Sequence, residues 1–375
     1  MLIKQLNIFG FRNIDAVSLT TDRQVNVFFG RNGSGKTSIL ESLYYLSRAK
    51  SFRTNKKQEL IKTDQTMLAV NVELFQQERE YKMGIGLDDK GTSRLKLDGE
   101  LLNKLSDASL LTPTQIITPE SFDIFWSSPK SRRSFLDFGL FHVEPVFKTE
   151  WQVYTKQLKQ TNALLKSAHS DLRELEYWYS GLIDSGNKID NLREEFLSNL
   201  FSQAIKDLCL ILSDSDNLDL LKGLEVRYKK RSPRNNDEHF VLKNLIEKDK
   251  RYKQVSFGPS RADLIFIKND EDISSKLSRG QSKMLFYLLE VAMVNIVRLS
   301  TGKNMVMLVD DLPSEVDEQT RSTMLEMLIH SQAQIFVTGI ESKIAMEFMK
   351  YTDSVNVFHV EHGVAKIENM EQLCP

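Results

Sequence analysis

Residues 30–37 read Gly30-Arg31-Asn32-Gly33-Ser34-Gly35-Lys36-Thr37, a spacing suited to phosphate chemistry. A glycine followed after four residues by Gly-Lys-Thr is the Walker A form. Its glycines let the backbone curl until successive N–H groups point inward at phosphate oxygens. Lys36 then reaches the β- and γ-phosphates of ATP, and the Thr37 hydroxyl ligates Mg²⁺. The flanks agree with this reading. The apolar run Val25–Phe29 precedes the loop as a strand, and Ile39, Leu40 and Leu43 follow it at helical spacing. That helix aims the positive end of its dipole at the same anion. A chance glycine turn has no reason to sit between such flanks.

The run Met305–Val309 is a second apolar strand, ending in Asp310 and Asp311. Asp310 is placed to hold Mg²⁺, directly or through water, and Asp311 to orient or deprotonate the attacking water. A buried strand before an acidic turn is common by itself; beside a Walker A loop it reads as Walker B. Leu277-Ser278-Arg279-Gly280-Gln281 stands just before the apolar helical run Met284–Leu299. The plain reading makes Ser278 a helix N-cap. The sharper one is a resemblance to the ABC-type signature Leu-Ser-Gly-Gly-Gln, with Arg279 in place of one glycine. That resemblance implies that Ser278, Arg279, Gly280 and Gln281 meet the γ-phosphate held by a second subunit, and so an ATP-dependent homodimer. Ser314-Glu315-Val316-Asp317 resembles the D-loop of the same class, carried by Ser314 and Asp317. Thr338, after Ile335–Val337, takes the place of the ABC switch histidine. Asp311 stands where most ABC enzymes have glutamate; its shorter arm holds water less well, which suits slow turnover and a switch. Gln115 is a Q-loop candidate, with an ordinary loop residue as the equal alternative.

These motifs need a scaffold that brings both ends of the chain together. Residues 1 to about 110 alternate as β-structure at Leu2–Ile8, Val25–Phe29, Leu68–Leu74, Glu80–Leu87 and Arg94–Leu97, with a hairpin turn at Asp98-Gly99 and one helix over Lys36–Ser47. Residues 120–250 read as mostly helical, with apolar spacings such as Leu158, Ala163, Leu165 and Leu172, Leu175, and with Gly181 and Gly186 as breaks between helices. A heptad coiled coil is the rival, but the repeat is neither long nor strict enough. From 255 onward strands and helices alternate at the spacing of a parallel sheet with crossover helices. The expectation is an α/β ABC-type P-loop ATPase head with a mixed sheet, built from 1–115 and 255–375, and interrupted by a short, mostly helical insert over 116–254.

Further stretches make the resemblance more specific. The opening Ile3–Ile14, Ile117-Thr118-Pro119-Glu120, Ser128–Asp137 and Gly258-Pro259-Ser260-Arg261-Ala262-Asp263-Leu264 resemble the RecF family of SMC-like repair ATPases, nearly end to end. The short insert resembles that family and not the larger SMC proteins with their long coiled coils. The resemblance implies a dimer that binds DNA at gaps and single-strand/double-strand junctions, cooperates with RecR and RecO, and helps load RecA in recombinational repair. Ser260 and Ala262 depart from the commoner His and Asp of that motif, leaving their roles open.

Composition sets outer limits. The chain has 375 residues with 41% hydrophobic and 27% charged, enough for two or three compact units. No run reads as a membrane span, the N-terminus goes straight into a strand pattern, and two cysteines, Cys209 and Cys374, make no disulfide framework, so a cytoplasmic protein without a membrane partner is expected. A net charge of −1 excludes a global polyanion binder and leaves local patches. The basic clusters are Arg48, Lys50, Arg53, Lys56 and Lys57; Lys130, Arg132 and Arg133; and Arg227, Lys229, Lys230, Arg231 and Arg234. The first follows the P-loop helix directly and is the leading DNA-contact candidate; Arg132 and Arg133 can equally pair with acids. Competing readings are a transporter's soluble subunit, a nucleotide-gated regulator, or an ATP-binding scaffold with almost no hydrolysis.

Overall fold

A computed structural model of the chain describes residues 1–167, 171–212, 223–231, 238–312 and 316–368. Its first part carries β1 (Leu2–Phe11), β2 (Ile14–Thr20), β3 (Val25–Phe29), α1 (Lys36–Arg48), β4 (Met67–Gln76), β5 (Arg79–Asp88), β6 (Ser93–Leu97), β7 (Glu100–Leu101), α2 (Ser106–Leu111), β8 (Thr114–Ile117) and α3 (Pro119–Ser127). The middle carries α4 (Pro129–Val143), α5 (Pro145–Lys166), α6 (Leu172–Glu195), α7 (Ser202–Ile211), β9 (Glu225–Lys229), α8 (Glu238–Tyr252), β10 (Asp263–Lys268) and β11 (Glu271–Asp272). The last part carries α9 (Arg279–Thr301), β12 (Val306–Val309), α10 (Glu318–His330), β13 (Gln334–Gly339), α11 (Lys343–Met349), β14 (Val355–Glu361) and β15 (Val364–Ile367).

One compact unit draws on Met1–Phe122 and Arg279–Pro375, and another on Asp123–Leu210 and Asp219–Ser278. The first unit holds two sheets. One is antiparallel, in the order β2-β1-β4-β5-β6-β7; the other runs β15-β14-β3-β13-β12-β8 and is parallel except for its β15 edge. Alternation along β4, with Leu68, Val70, Val72 and Leu74 buried, turns one face of the antiparallel sheet inward. That face, the apolar side of α1 (Ile39, Leu40, Leu43, Leu46) and Phe28, Phe336 and Phe358 of the parallel sheet form a single core cluster. Phe28 stacks on Phe336 and Phe358, with ring centroids 6.4 and 5.0 Å away. The core thereby clamps the helix that carries the Walker A lysine. At Asp98-Gly99 both residues have positive φ, 50° and 89°, and join β6 to β7 by a two-residue turn.

α9 is long and apolar enough to cross a bilayer, which the sequence reading had not found in any run, but 72% of its apolar window is buried inside the protein. Glu290 is the exception on its buried face, with 4% of its surface exposed. Burial pushes its carboxyl up to about 8, against the smaller downward pull of the Gln115 amide and the Arg48 guanidinium. A folded-state value above the unfolded one means that the native state holds the proton more tightly. The stability contributed by Glu290 is therefore complete below its unfolded value and is lost as pH rises through about 8. The thermal midpoint is expected to fall from about pH 5 to about pH 8 and to level off above that, and Glu290→Gln to flatten that slope. Scanning fluorimetry across the range checks this; equal slopes in both proteins exclude Glu290 as its source.

In the second unit, α5 and α6 pack side by side, and β9, β10 and β11 form a small antiparallel sheet in the order β11-β10-β9. Two sequence expectations change here. Gly181 and Gly186 do not end a helix; both lie inside α6, which runs unbroken for 24 residues. A Cβ on Gly186 would sit 3.1 Å from Pro259 Cδ, so the missing side chain makes room for the Gly258-Pro259 turn. Residues 255–278, assigned above to the head, belong to this unit, because β10 pairs with β9 and Asp263 is held by Arg132 through two bonds of 2.8 and 2.9 Å.

Candidate nucleotide-binding site

β3 delivers the chain into the glycine loop at Gly30, and α1 begins at Lys36. Gly30 has φ 148°, and a Cβ there would lie 2.3 Å from the Val360 carbonyl oxygen of β14, so only glycine lets the loop turn beside its neighbour. In the parallel sheet β13 lies between β3 and β12, with Val337 in register with both Val27 and Val309. The C-terminal ends of these three strands therefore meet, and with them the three motifs. Thr37 Oγ1 donates to Asp310 Oδ1 at 3.0 Å, and Thr338 Oγ1 donates to the same oxygen at 2.8 Å. The Asp311 N–H donates to Thr338 Oγ1 at 2.8 Å, which fixes Asp311 in a left-handed conformation, φ 55°. Residues more than 270 positions apart thus share one carboxylate oxygen.

Burial raises the Asp310 carboxyl, while the Thr338 and Thr37 hydroxyls pull it down. Lys36 is 9% exposed, and its Nζ donates to the carbonyls of Gly30 (2.7 Å) and Arg31 (3.0 Å). Desolvation lowers its pKa, and Asp310 and Asp311 oppose that shift. A cleft of roughly 620 Å³ opens over these groups, lined among others by Asn32, Gly33, Gly35, Lys36, Thr37, Asp310, Asp311 and Thr338.

The same cleft is lined by Arg12, Asn13, Arg53 and Glu120, to which the motifs assign no role at the nucleotide; Arg53 belongs instead to the cluster expected to contact DNA. Arg12 grips the fully buried Glu41 of α1 through two bonds of 2.9 and 2.8 Å, and Ser51 Oγ donates to Glu41 as well. Asn13 accepts from Ser38 Oγ at 2.8 Å and donates to the Gly33 carbonyl at 3.3 Å, bracing the loop from outside. The available signal was Glu41 itself, an acid five residues after Lys36 that shares the helix with Ile39, Leu40 and Leu43.

The basic cluster after α1 does not present one surface. Arg48 is corrected outright: its guanidinium donates to the Thr114 carbonyl at 3.1 Å and lies near buried Glu290, so it faces the interior of the unit. Arg53 lines the nucleotide cleft, 3.6 Å from Glu41, and half-buried Lys57 donates to Ser93 Oγ at 3.2 Å. Lys50 and Lys56 remain exposed, Lys56 beside Glu59. Gln115 is also corrected: it is a buried strand residue whose amide donates to Glu290, and Glu120, just beyond the strand, is the side chain that lines the cleft.

Ser278, Arg279 and Gln281 are exposed where α9 begins. Asp317 caps α10, accepting from Thr320 N at 2.8 Å and Thr320 Oγ1 at 2.7 Å, bonds that hold its carboxyl below the usual range. Ser314 lies outside the described residues. In the second unit Arg133 donates to the Ala262 carbonyl, Ser260 meets the Tyr154 hydroxyl at 3.0 Å, and the Ala262 side chain is fully buried. This motif is wired into its own unit.

The model of the RecF/RecN/SMC N terminal domain matches residues 2–366. The chain belongs to this family. It is 36% identical over 365 residues to the DNA replication and repair protein RecF of Pseudoalteromonas translucida (strain TAC 125), covering 97% of this chain and 99% of that protein. RecF of Shewanella frigidimarina (strain NCIMB 400) is 33% identical, with 98% and 99% covered. Among solved structures, the recombination mediator protein RecF-ATP matches with a TM-score of 0.79 at 24% identity, over 98% of both chains. An SMC head bound to the winged-helix domain of ScpA matches at 0.54 and 15% identity, over 100% of both chains. These likenesses show an α/β ABC-type head fold, as the motif order implies.

Proposed function

We propose that this chain is an ATP-binding protein of DNA replication and recombinational repair. ATP closes it into a homodimer that binds DNA at gaps and single-strand/double-strand junctions and, with RecR and RecO, helps load RecA. The observation that carries the reading is the convergence of Thr37, Asp310 and Thr338 beneath the glycine loop, in a chain whose relatives over nearly their full length are named for DNA replication and repair.

The chemistry follows from the chain's own groups. The Gly30 and Arg31 carbonyls now hold the Lys36 ammonium, and phosphate oxygens at the loop take over that charge. Thr37 and Asp310 offer hard oxygen donors, the kind Mg²⁺ prefers, and no larger His/Cys/Asp/Glu cluster occurs among the described residues; this fits an ion that keeps waters and phosphates as its other ligands. Bound there, Mg²⁺ neutralises charge developing on the phosphates. Asp311 is exposed at the cleft with its backbone pinned on Thr338, so its short carboxylate orients water from a fixed point, which suits a slow switch. Lys50 and Lys56 are the cations of the first cluster left to meet DNA phosphates.

Filter binding of gapped duplex tests the coupling. Retention is expected to strengthen at least about tenfold with ATP and Mg²⁺ over no nucleotide, and to weaken steeply with salt. Equal retention in both states removes the link between ATP and DNA.

A further inference from the structure

We infer that Arg48, Gln115 and Glu290 are positioning residues that couple the two nucleotide sites to which one chain contributes. The inference rests on the ATP-sandwiched dimer proposed above. In that dimer α1 serves one nucleotide through Lys36 and Thr37 at its start, and α9 serves the other through the signature residues at its start.

The two helices are joined well away from those ends, and β8 with the residues before it is the splint. At the end of α1, Arg48 donates to the Thr114 carbonyl at 3.1 Å and Ser47 Oγ to the Thr112 carbonyl at 2.7 Å, while Ser109 Oγ donates back to the Ser47 carbonyl at 2.9 Å. The next residue, Gln115, turns to the opposite side of β8 from Ile116, which packs against the two-sheet core, and its amide donates to Glu290 on α9. Lys303, just past the end of α9, donates to the Leu110 carbonyl at 3.0 Å. Both helices are therefore hydrogen-bonded to the single stretch 109–115.

Gln115 and Glu290 are 8% and 4% exposed, and the α9 residues around Glu290, from Phe286 to Val294, are apolar and buried. A polar link in such a bed costs desolvation and stabilises weakly, but it admits one register where apolar contacts alone admit several. α1 spans 13 residues, a rod of about 20 Å. A tilt imposed when phosphate is gripped at Lys36 therefore moves Arg48 too, and the splint passes that displacement to α9. Occupancy of one site then biases the signature offered to the other.

The test uses the full-length double variant Gln115→Leu/Glu290→Met, which replaces the link by apolar groups of similar volume. ATP-driven dimerisation is followed by sedimentation across ATP concentrations, with ADP binding to the monomer as the single-site readout. The wild type is expected to show a Hill coefficient approaching about 2, and the double variant a clearly lower one, between about 1 and about 2, set by the two-ATP stoichiometry alone, with ADP affinity within about twofold of wild type. Glu290→Gln, which still accepts the Gln115 amide, should retain most of the cooperativity. A double variant as cooperative as the wild type overturns the inference, as does a wild type that dimerises with a Hill coefficient of 1. A wild type that forms no dimer with ATP overturns the sandwich reading itself. Should the double variant fold poorly, Arg48→Lys, which shortens the reach to Thr114, must lower the Hill coefficient; an unchanged value overturns the inference equally.

Discussion

Lys36→Ala should abolish ATP-dependent dimerisation and lower any ATP turnover by roughly 10²–10³-fold, the scale of losing one preorganised charge clamp. The structure separates this loss from a folding defect. The Lys36 ammonium bonds to two carbonyls of its own loop, Gly30 and Arg31, and the aliphatic core around α1 is built from Ile39, Leu40, Leu43 and Leu46. Truncation frees two carbonyl acceptors, but Lys36 itself lines an open cleft, so water can enter where its side chain stood and satisfy them, and the thermal midpoint should move little. Sedimentation velocity with and without ATP decides the matter. A mutant that dimerises normally with ATP would show that the phosphate grip lies elsewhere in the cleft, with Arg12 and Arg53 as the remaining cations along its walls.

How far the sequence carries depends on whether a signal is local. Val25–Phe29 and the helix from Lys36 are legible because a glycine loop punctuates an apolar strand and an amphipathic helix, and the observed elements keep those starts. The Asp98-Gly99 turn is legible for the same reason: two residues that tolerate positive φ stand between alternating strands. Other features depend on partners distant in the chain. Gly181 and Gly186 read as helix breaks until Pro259 and Gln157 are seen packed against them. β9 hides in a basic run because its identity as a strand comes from pairing with β10. Arg48 counts as a surface cation until Thr114 and Glu290, on different elements, take it inward. In the cleft, Lys36, Thr37, Asp310 and Asp311 stand in sequence-contiguous patterns, whereas Arg12 and Asn13, in the turn between β1 and β2, meet Glu41 and Ser38 only because the fold sets that turn beside α1.

Ser278→Arg should leave nucleotide binding to a monomer intact and block dimerisation. Ser278 is exposed immediately before α9, and neither it nor its neighbours Arg279, Gly280 and Gln281 line the cleft formed by the glycine loop. An arginine there adds bulk and removes a hydroxyl on the surface assigned to the partner's γ-phosphate, without touching Lys36, Thr37 or Asp310. DNA retention should lose its ATP dependence and keep only a salt-sensitive background from exposed cations such as Lys50 and Lys56. Mixing this variant with Lys36→Ala gives a sharper result. Each homodimer has two broken sites, but a heterodimer carries one composite site made from the intact loop of one chain and the intact signature of the other. Random pairing makes about half of the dimers heterodimers, each with one of two sites working, so hydrolysis should recover to at most about a quarter of wild type if the sites act independently. Recovery above either parent establishes the trans arrangement. If none appears while both variants are folded, a crosslink from position 278 to the glycine loop of the other subunit separates the two causes. A crosslink that forms means both sites must fire together, as the link through Gln115 and Glu290 implies; one that fails removes the signature from the site.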